Sequence, residues 1–343
     1  MTTTADKRNR RLHRAARFED MVHARVERRV VGRGWHHVLT GYTGYGASGW
    51  VRVLARVLHA RPQDRSDLPE EPRRGWRSFI TVQAVDVEVV VRAGDREVRV
   101  RSDRGGYIDV RMEADLPAGW QNITLSTEGG EDVEVSVVVV DAATRFGIVS
   151  DIDDTVMVTT LPRAMLAAWN TFVLTEHARR PVPGMAVLYE RLAKAHPGAP
   201  VVYLSTGAWN VAPTLTRFLS RHLYPEGPLL LTDWGPTRDG WFRSGQAHKR
   251  TSLLRLASEF PDLKWLLIGD DGQHDPDLYS EFARSNPANV AAVAIRHLSP
   301  AEQVLASGLP VPMDQAKSVP GTPWVSGPDG ASLSKALDKL DLV

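Results

Sequence analysis

The spacing of apolar residues changes near residue 144 and separates two regions of different architecture. Between 35 and 143, short runs alternate apolar and polar residues, and turns containing Gly94, Gly106 and Gly129 lie between them. Such alternation is typical of antiparallel strands with one buried face, so we expect a β-rich, sandwich-like domain. From 144 to 300, apolar strand patterns alternate with helical ones, which predicts an α/β domain with a doubly wound parallel sheet.

These patterns place individual elements. The first region has strand patterns at 85–92, 96–102, 108–112 and 133–137, and an exposed loop at 62–75. The second has strand patterns at 146–149, 201–204, 229–231, 266–268 and 290–295, and helical patterns at 184–196, 211–223, 248–259 and 275–285. An insert at 156–183 carries an apolar stretch at 164–174. The predicted domains are therefore a basic arm (1–34), a β-rich domain (35–143), an α/β domain (144–300) and a tail (301–343) with a short helical pattern at 331–341.

A glycine motif in the first region suggests a cofactor site that its surroundings do not support. Gly44, Gly46 and Gly49 match the G-x-G-x-x-G pattern of dinucleotide-binding proteins. That site needs a helix directly after the glycines, whereas residues 50–57 alternate like a strand. We interpret the glycines as a turn.

Composition narrows the class of protein. The chain has 343 residues, is 43% hydrophobic and carries a formal net charge of +1, so it can bury two cores and its overall charge favours no nucleic acid partner. The absence of cysteine excludes disulfides, thiolate nucleophiles and cysteine-based zinc sites. The first residues lack the apolar stretch of a signal peptide, so we expect a cytoplasmic protein. The basic arm is either a solvated surface helix or a segment attracted to anionic lipid at the inner membrane surface.

The strongest chemical signal is a pair of carboxylates after the first strand of the α/β region. Phe146–Val149 is apolar and is followed by Asp151 and Asp153. One carboxylate can attack phosphorus while the other, two residues on, transfers a proton. Both would face the crevice at the carboxyl edge of the sheet, where open α/β folds bind ligands. The alternative is an Asp-rich turn without catalytic function.

Further polar residues follow other predicted strands of the same sheet. They are Ser205, Lys249, Asp270 and Asp275, with Thr155 beside the first carboxylates. Taken singly, Ser205 could cap a helix, Lys249 could be a solvated surface lysine, and Asp275 could be an N-cap. Together they supply what phosphoryl transfer needs: hydroxyl and ammonium contacts to phosphate oxygens, and carboxylates for Mg²⁺.

The ordered set resembles the haloacid dehalogenase superfamily and, within it, the actin-patch-associated phosphatidate phosphatase catalytic-domain family. The resemblance rests on Asp151–Val156, Pro181–Met185, Leu204–Asn210, His248-Lys249 and Leu267–Tyr279, and covers about 144–300. It implies that Asp151 is the nucleophile and that Asp153 is the general acid and base. It also implies that Asp151, the main-chain carbonyl of Asp153 and Asp270 hold Mg²⁺, and that Ser205 and Lys249 bind phosphate. Thr155 would fix the loop, and Asp275 would orient the metal shell or Lys249.

Three functions are compatible with these residues. The first is a Mg²⁺-dependent phosphatidate phosphatase acting on phospholipid at a membrane surface, through an aspartyl-phosphate intermediate. The second keeps the chemistry but acts on a soluble phosphate monoester or a phosphoprotein. The third is a module that binds phosphatidate without turnover, which the presence of Asp151, Asp153, Lys249 and Asp270 disfavours.

Overall fold

The computed structural model of the chain describes most of both predicted domains. The described residues are 29, 32, 34–60, 82–158, 180–232, 244–272, 274–300, 302–303 and 319–343. They divide into two compact units, the first made of residues up to Val139 together with Ser244 and the second of residues 140–232 and 245–343. Nearly all of the basic arm (1–34), the predicted loop at 62–75 and the apolar stretch at 164–174 lie outside the described residues. Among the described residues, no helix combines the length and the apolar character needed to span a membrane.

The first unit is built from eight strands that form one hydrogen-bonded network. They are β1 (His36–Ala47), β2 (Trp50–Ala60), β3 (Val82–Gln83), β4 (Glu88–Ala93), β5 (Arg96–Arg101), β6 (Tyr107–Glu113), β7 (Gly119–Thr127) and β8 (Val133–Val140). Their order is β3-β2-β1-β8-β7-β4-β5, and β6 pairs with β2. The β1-β2, β2-β3, β2-β6, β4-β5, β4-β7 and β7-β8 pairs are antiparallel. The buried core takes alternate residues of several strands, such as Val89 and Val91 of β4 and Val135 and Val137 of β8. The β-rich character follows the sequence pattern, whereas the sandwich-like arrangement stays a prediction.

The glycine motif is not the turn that we expected from the sequence. Gly44 and Gly46 lie inside β1, and only residues 48 and 49 form the turn before β2. A Cβ atom on Gly44 would lie 2.5 Å from the main-chain oxygen of Arg52, and one on Gly46 would lie 2.4 Å from that of Trp50. The glycines therefore allow β2 to approach β1 closely, and a strand, not a helix, follows them.

The second unit is an α/β fold around six parallel strands. These are β9 (Phe146–Asp151), β12 (Val201–Ala208), β13 (Leu229–Thr232), β14 (Lys264–Asp270), β15 (Val290–Arg296) and β16 (Trp324–Gly327); β10 (Met157–Val158) and β11 (Arg180–Pro181) form a separate antiparallel pair. The helices are α1 (Met185–Ala195), α2 (Ala212–Arg221), α3 (Ser244–Glu259), α4 (Asp275–Ser285) and α5 (Gly330–Asp338). Five strands and five helices thus lie close to the positions that the sequence predicted.

The strand order explains where a site can form. In the order β13-β12-β9-β14-β15-β16, the chain first builds outward from β9 to β12 and β13 and then returns to build β14, β15 and β16 on the other side. Such a reversal is a topological switch point, and it opens a crevice at the carboxyl ends of β9 and its neighbours. All residues of β9 except Phe146 are buried, as expected for a central strand covered on both faces.

The segment predicted as a tail contributes to this unit. Trp324–Gly327 forms β16, which pairs in parallel with Val293–Arg296 of β15. Helix α5 follows directly, and its first residue, Gly330, donates its main-chain N–H to the carbonyl of Pro183 at 3.0 Å. A Cβ atom on Gly330 would lie 2.2 Å from the carbonyl carbon of Gly184, so only glycine permits this approach.

Candidate active site

The carboxylate pair lies in a tight turn at the end of the central strand. Asp151 is the last residue of β9, and Asp153 follows two residues later; both side chains are buried. The turn is closed by main-chain hydrogen bonds from Asp154 to Met157 at 2.7 Å and from Val156 to Ile152 at 2.9 Å. Asp154 has φ of 58°, a left-handed conformation that Asp tolerates better than most residues. The turn thus keeps both carboxylates at the carboxyl edge of the sheet.

Ser205 connects this turn to the neighbouring strand. Its hydroxyl donates to Oδ2 of Asp153 at 3.0 Å and accepts the main-chain N–H of Gly207 at 2.9 Å. Ser205 lies inside β12, so the alternative that it caps a helix is wrong. Thr232 of β13 donates its hydroxyl to the carbonyl of Thr206 at 2.9 Å, which fixes the backbone beside Ser205.

Lys249 reaches into the site from α3. The helix begins at Ser244, so Lys249 lies in its second turn. The helical pattern at 248–259 had instead placed Lys249 at the start of the helix. Its Nζ donates to Oδ1 of Asp151 and to Oδ1 of Asp275, both at 2.6 Å. Only 4% of Lys249 is exposed, which excludes the alternative of a solvated surface lysine.

The remaining acids come from β14 and α4. Asp270 is fully buried at the end of β14, and its Oδ1 accepts the main-chain N–H of Gly272 at 2.8 Å. Asp275 is the first residue of α4, but His274 occupies the N-cap position, and the buried Asp275 carboxylate accepts from Lys249. Asp275 therefore lies beside Lys249 and is not the N-cap that its position before Pro276 suggested.

Burial controls the charges of this cluster. Burial, the largest effect, raises the pKa of Asp151; Lys249 opposes the shift, and the carboxylates of Asp275 and Asp153 add to it. The pKa of Asp270 is also raised, first by burial and then by the charges of Asp275 and Asp151. Burial alone would lower the pKa of Lys249, but the two carboxylates that it contacts raise it overall. Lys249 is thus an ammonium ion, and its single positive charge does not balance the acidic groups around it.

The arrangement of the acids fits a divalent cation. Ligand atoms of Asp151, Asp270 and Asp275 all lie within 4.8 Å of one another. In the described part of the protein, Oδ2 of each of these three residues is buried and accepts no hydrogen bond. Buried carboxylate oxygens without partners are costly, and oxygen is the ligand that Mg²⁺ prefers. Asp275 replaces Asp153 in this geometric set; the assignment of the Asp153 carbonyl as a ligand stays a prediction.

The structure brings together six of the seven sequence-predicted residues by direct hydrogen bonds or by close approach of the carboxylates, namely Asp151, Asp153, Ser205, Lys249, Asp270 and Asp275. Thr155 differs: its side chain is buried, but within the described residues its hydroxyl makes no hydrogen bond that could fix the loop.

Sequence reasoning missed two supports of the turn. Tyr224 donates its hydroxyl to the carbonyl of Val156 at 2.9 Å, and Arg296 donates to that of Asp154 at 2.7 Å. For Arg296, the only sequence signal was that a charged residue directly follows the apolar strand pattern at 290–295.

A parallel sheet of this order, with Asp151 and Asp153 after its central strand and lysine and acids from later elements, resembles the arrangement that the sequence resemblance implied. Residues 146–297 match the family model described as the catalytic domain of phosphatidate phosphatase APP1. The family resemblance that the sequence indicated is thus confirmed over these residues.

Two curated relatives show the same similarity. An uncharacterized protein of Schizosaccharomyces pombe is 28% identical over 150 residues, which is 43% of this chain and 24% of the relative. Phosphatidate phosphatase APP1 of Saccharomyces cerevisiae is 25% identical over 202 residues, which is 57% of this chain and 34% of the relative. The matched parts thus span about a quarter to a third of these relatives. Among solved structures, the HAD domain of the Legionella pneumophila effector Lem4 is 13% identical, covers 45% of this chain and 86% of that chain, and has a TM-score of 0.30.

Proposed function

We propose that the second unit is a Mg²⁺-dependent phosphohydrolase that converts phosphatidate and water to diacylglycerol and phosphate. The observation that supports it most directly is the buried Lys249 ammonium between Asp151 and Asp275, at 2.6 Å from each. A carboxylate nucleophile and a phosphate ester repel each other, so the reaction needs fixed positive charge at the point of attack. Lys249 provides that charge beside the proposed nucleophile.

The proposed reaction has two steps. A carboxylate oxygen of Asp151 forms a bond to phosphorus while the bond to the diacylglycerol oxygen breaks, and Asp153 gives its proton to that oxygen. Asp153, now a carboxylate, takes a proton from water, whose oxygen attacks phosphorus. The bond between phosphorus and the Asp151 oxygen breaks, which releases phosphate and restores the Asp151 carboxylate. Ser205, whose hydroxyl contacts Asp153 at 3.0 Å, and Lys249 bind the phosphate oxygens.

The metal would be held by carboxylates of the buried cluster. Asp151 and Asp270 are the proposed ligands, together with the main-chain carbonyl of Asp153, and Asp275 orients Lys249 and completes the acidic cluster. When bound, Mg²⁺ supplies the charge that withdraws electrons from the phosphoryl group and lowers the repulsion between Asp151 and the substrate. Removing the metal should leave the protein folded but inactive.

The lipid substrate rests on similarity and on two sequence segments. A relative named phosphatidate phosphatase APP1 matches 57% of this chain, and the family model carries the same name. The basic residues of 1–34 and the apolar residues of 164–174 suit a substrate at an anionic membrane surface. We therefore propose phospholipid as the partner and a cytoplasmic protein that acts at the inner membrane surface.

The test is phosphate release from phosphatidate in mixed micelles, with Mg²⁺ and with a chelator. Wild type and Asp151→Asn are compared with Asp277→Asn, which changes an exposed acid two residues after Asp275. We expect Asp151→Asn to lower kcat on the order of 10³-fold or more, because the nucleophile is lost. The chelator should have a similar effect, and Asp277→Asn should behave like wild type.

Other outcomes separate the alternatives. Release of phosphate from soluble monoesters or a phosphoprotein, but not from phosphatidate, would keep the mechanism and reject the lipid substrate. Binding of phosphatidate vesicles by wild type and Asp151→Asn alike, with no release of phosphate from any ester, would identify a binding module. Turnover that persists in Asp151→Asn would reject the proposed nucleophile.

A further inference from the structure

Arg296 is a buried cation next to the proposed site that the mechanism above does not use. It is the last residue of β15, and only 4% of it is exposed. Its guanidinium donates in three directions: Nη1 to the carbonyl of Asp154 at 2.7 Å, Nε to the carbonyl of Pro328 at 3.2 Å, and Nη2 to Oε1 of Glu302 at 2.8 Å. The planar fork of arginine is suited to several fixed acceptors, which lysine cannot satisfy together.

The acceptors of Arg296 are themselves held in place. Oε2 of Glu302 accepts the main-chain N–H of Ser299 at 2.8 Å, and the Ser299 hydroxyl accepts that of Glu302 at 3.4 Å, which is a capping box. Burial would raise the pKa of Glu302, but hydrogen bonds from Arg296 and Ser299 lower it overall, so the carboxylate is charged. Pro328 lies directly after β16, which pairs with β15. The guanidinium is therefore anchored on two sides.

The third bond of the guanidinium reaches the carboxylate turn. Asp154 follows Asp153 directly and has φ of 58°. A residue other than glycine is strained in the left-handed conformation. It keeps that conformation only when the surrounding structure fixes it. The bond from Arg296 holds the carbonyl of Asp154, while its N–H is held by Met157 at 2.7 Å. Both polar main-chain groups of this residue are thus occupied.

The backbone of Arg296 holds the second acidic loop. Its carbonyl accepts the main-chain N–H of Asp271 at 3.0 Å, and Asp270 and Arg296 are paired in the sheet. Asp271 is also fixed from the same strand end, because its Oδ1 accepts the N–H of Leu298 and its Oδ2 contacts Nδ1 of His297, both at 2.8 Å. One residue therefore contacts the turn after β9 by its side chain and the loop after β14 by its main chain.

We propose that Arg296 is a positioning residue that fixes the turn of Asp151 and Asp153 relative to the loop of Asp270, and thereby preorganises the acids for a divalent cation. Its effect on turnover rests on the proposed function, but its effect on cation binding does not. Groups that orient metal ligands typically change metal affinity 10- to 100-fold when they are removed. Arg296 acts through the backbone and does not touch the substrate.

The test compares full-length wild type with Arg296→Lys, which keeps the charge but loses the fork. We measure Mg²⁺ affinity by titration calorimetry without substrate, and the unfolding temperature in chelator. We also measure kcat and KM with phosphatidate and with para-nitrophenyl phosphate. The expected result is a loss of about 10- to 100-fold in Mg²⁺ affinity, and at saturating Mg²⁺ a lower kcat with little change in KM. A loss of stability alone would not produce this pattern at a temperature where the variant is folded.

Two further variants make the test independent of folding. Arg191→Lys is the matched control, because Arg191 of α1 also donates to another element: in the part of the chain that the structure describes, its side chain bonds to Ser334 of α5 and, at 3.2 Å, to Asp338. It should leave Mg²⁺ affinity unchanged. If Arg296→Lys does not fold, Glu302→Gln, which removes the charge that anchors Arg296, should still weaken Mg²⁺ binding in the folded protein.

The outcomes separate this proposal from the proposed function. Wild-type Mg²⁺ affinity and kcat in folded Arg296→Lys, or in Glu302→Gln where the first variant does not fold, would overturn the positioning role. An equal loss of Mg²⁺ affinity in Arg191→Lys would also overturn it, since the effect would then come from any loosening of the C-terminal segment. A wild type that binds Mg²⁺ but hydrolyses neither ester would instead reject the proposed function, and the calorimetric comparison would still decide the role of Arg296.

Discussion

At the scale of single residues, the site is defined by an imbalance of charge in a buried space. Asp151, Asp270 and Asp275 each keep one carboxylate oxygen without a hydrogen bond from the described residues, while Lys249 supplies one ammonium group. Removing buried charges from water costs several kcal/mol per ion unless they are compensated. A divalent cation would supply positive charge to these three carboxylate oxygens. The cluster therefore suits the binding of a cation better than the stabilisation of the fold.

Gly269 provides a direct test at this scale. A Cβ atom at this position of β14 would lie 2.6 Å from Oδ2 of Asp275 and 2.8 Å from Cε2 of Tyr279. We expect Gly269→Ala to displace the Asp275 carboxylate, to lower Mg²⁺ affinity about 10- to 100-fold, and to destabilise the protein by about 1–3 kcal/mol through overpacking. Mg²⁺ titration calorimetry and urea unfolding in chelator measure the two effects.

Gly147 is the matched control for that substitution. It lies near the start of β9, and a Cβ atom there would come within 2.5 Å of the Trp265 ring. Gly147→Ala should destabilise the protein by a similar amount, about 1–3 kcal/mol, but should leave Mg²⁺ affinity unchanged. The same loss of Mg²⁺ affinity in both variants would show that Gly269 matters only through overall stability.

At the scale of elements, the sequence predicted those strands and helices whose apolar residues follow a clear local pattern. The continuous apolar runs of the parallel strands were recognisable because buried strands have no polar face. Strand β7 was missed: it carries the alternating buried residues Ile123, Leu125 and Thr127, but Gly119 and Asn122 are residues that strands usually avoid. Strand β16 was missed because it has four residues and depends on pairing with β15. Lys249 and Asp275 were assigned to the site by their order along the chain and by the family resemblance. The contact of Arg296 with the carboxylate turn follows from tertiary packing, which no local pattern encodes.

Helix α5 illustrates how one residue determines the start of an element. Asp329 is its N-cap, and the side chain accepts the main-chain N–H of Ser332 at 2.8 Å. We expect Asp329→Ala to lower the free energy of unfolding by about 1 kcal/mol at neutral pH, because the first turn loses its cap. Asp262→Ala, an exposed acid in the turn before β14, should change it by less than about 0.5 kcal/mol. Urea unfolding of both variants is the measurement; equal effects would contradict the capping role.

The same cap predicts a dependence on pH. The main-chain N–H of Ser332, followed by the Ser332 side chain, lowers the pKa of Asp329 in the folded protein. A carboxyl group with a lowered folded pKa stabilises the protein above its unfolded pKa, and this contribution is lost as the pH falls through the folded pKa. Unfolding free energies of wild type and Asp329→Asn should therefore converge as the pH falls toward that value. A constant difference between the two across this range would show that the ionised form is not what caps the helix.

At the scale of the whole molecule, the chain combines two units with separate cores and different sheets. The antiparallel unit buries residues such as Leu125 and Val91, and the parallel unit buries Leu267 and Ile148, each fully. Every residue of the proposed site, and Arg296, belongs to the parallel unit. A cation should therefore stabilise one unit, and a cavity in the antiparallel core should destabilise the other.

Differential scanning calorimetry can test this division. We expect two unfolding transitions, because each unit has a core of its own and two-state behaviour is a property of single domains. Mg²⁺ at about one hundred times its Kd should stabilise only the transition of the parallel unit, by about 2.7 kcal/mol, and Asp151→Asn should reduce this shift. Leu125→Ala should lower only the other transition, by about 2–5 kcal/mol, because it leaves a cavity in the antiparallel core. Mg²⁺ and Leu125→Ala could instead shift a single common transition. The two units would then unfold cooperatively, and the stability of the site would depend on both cores.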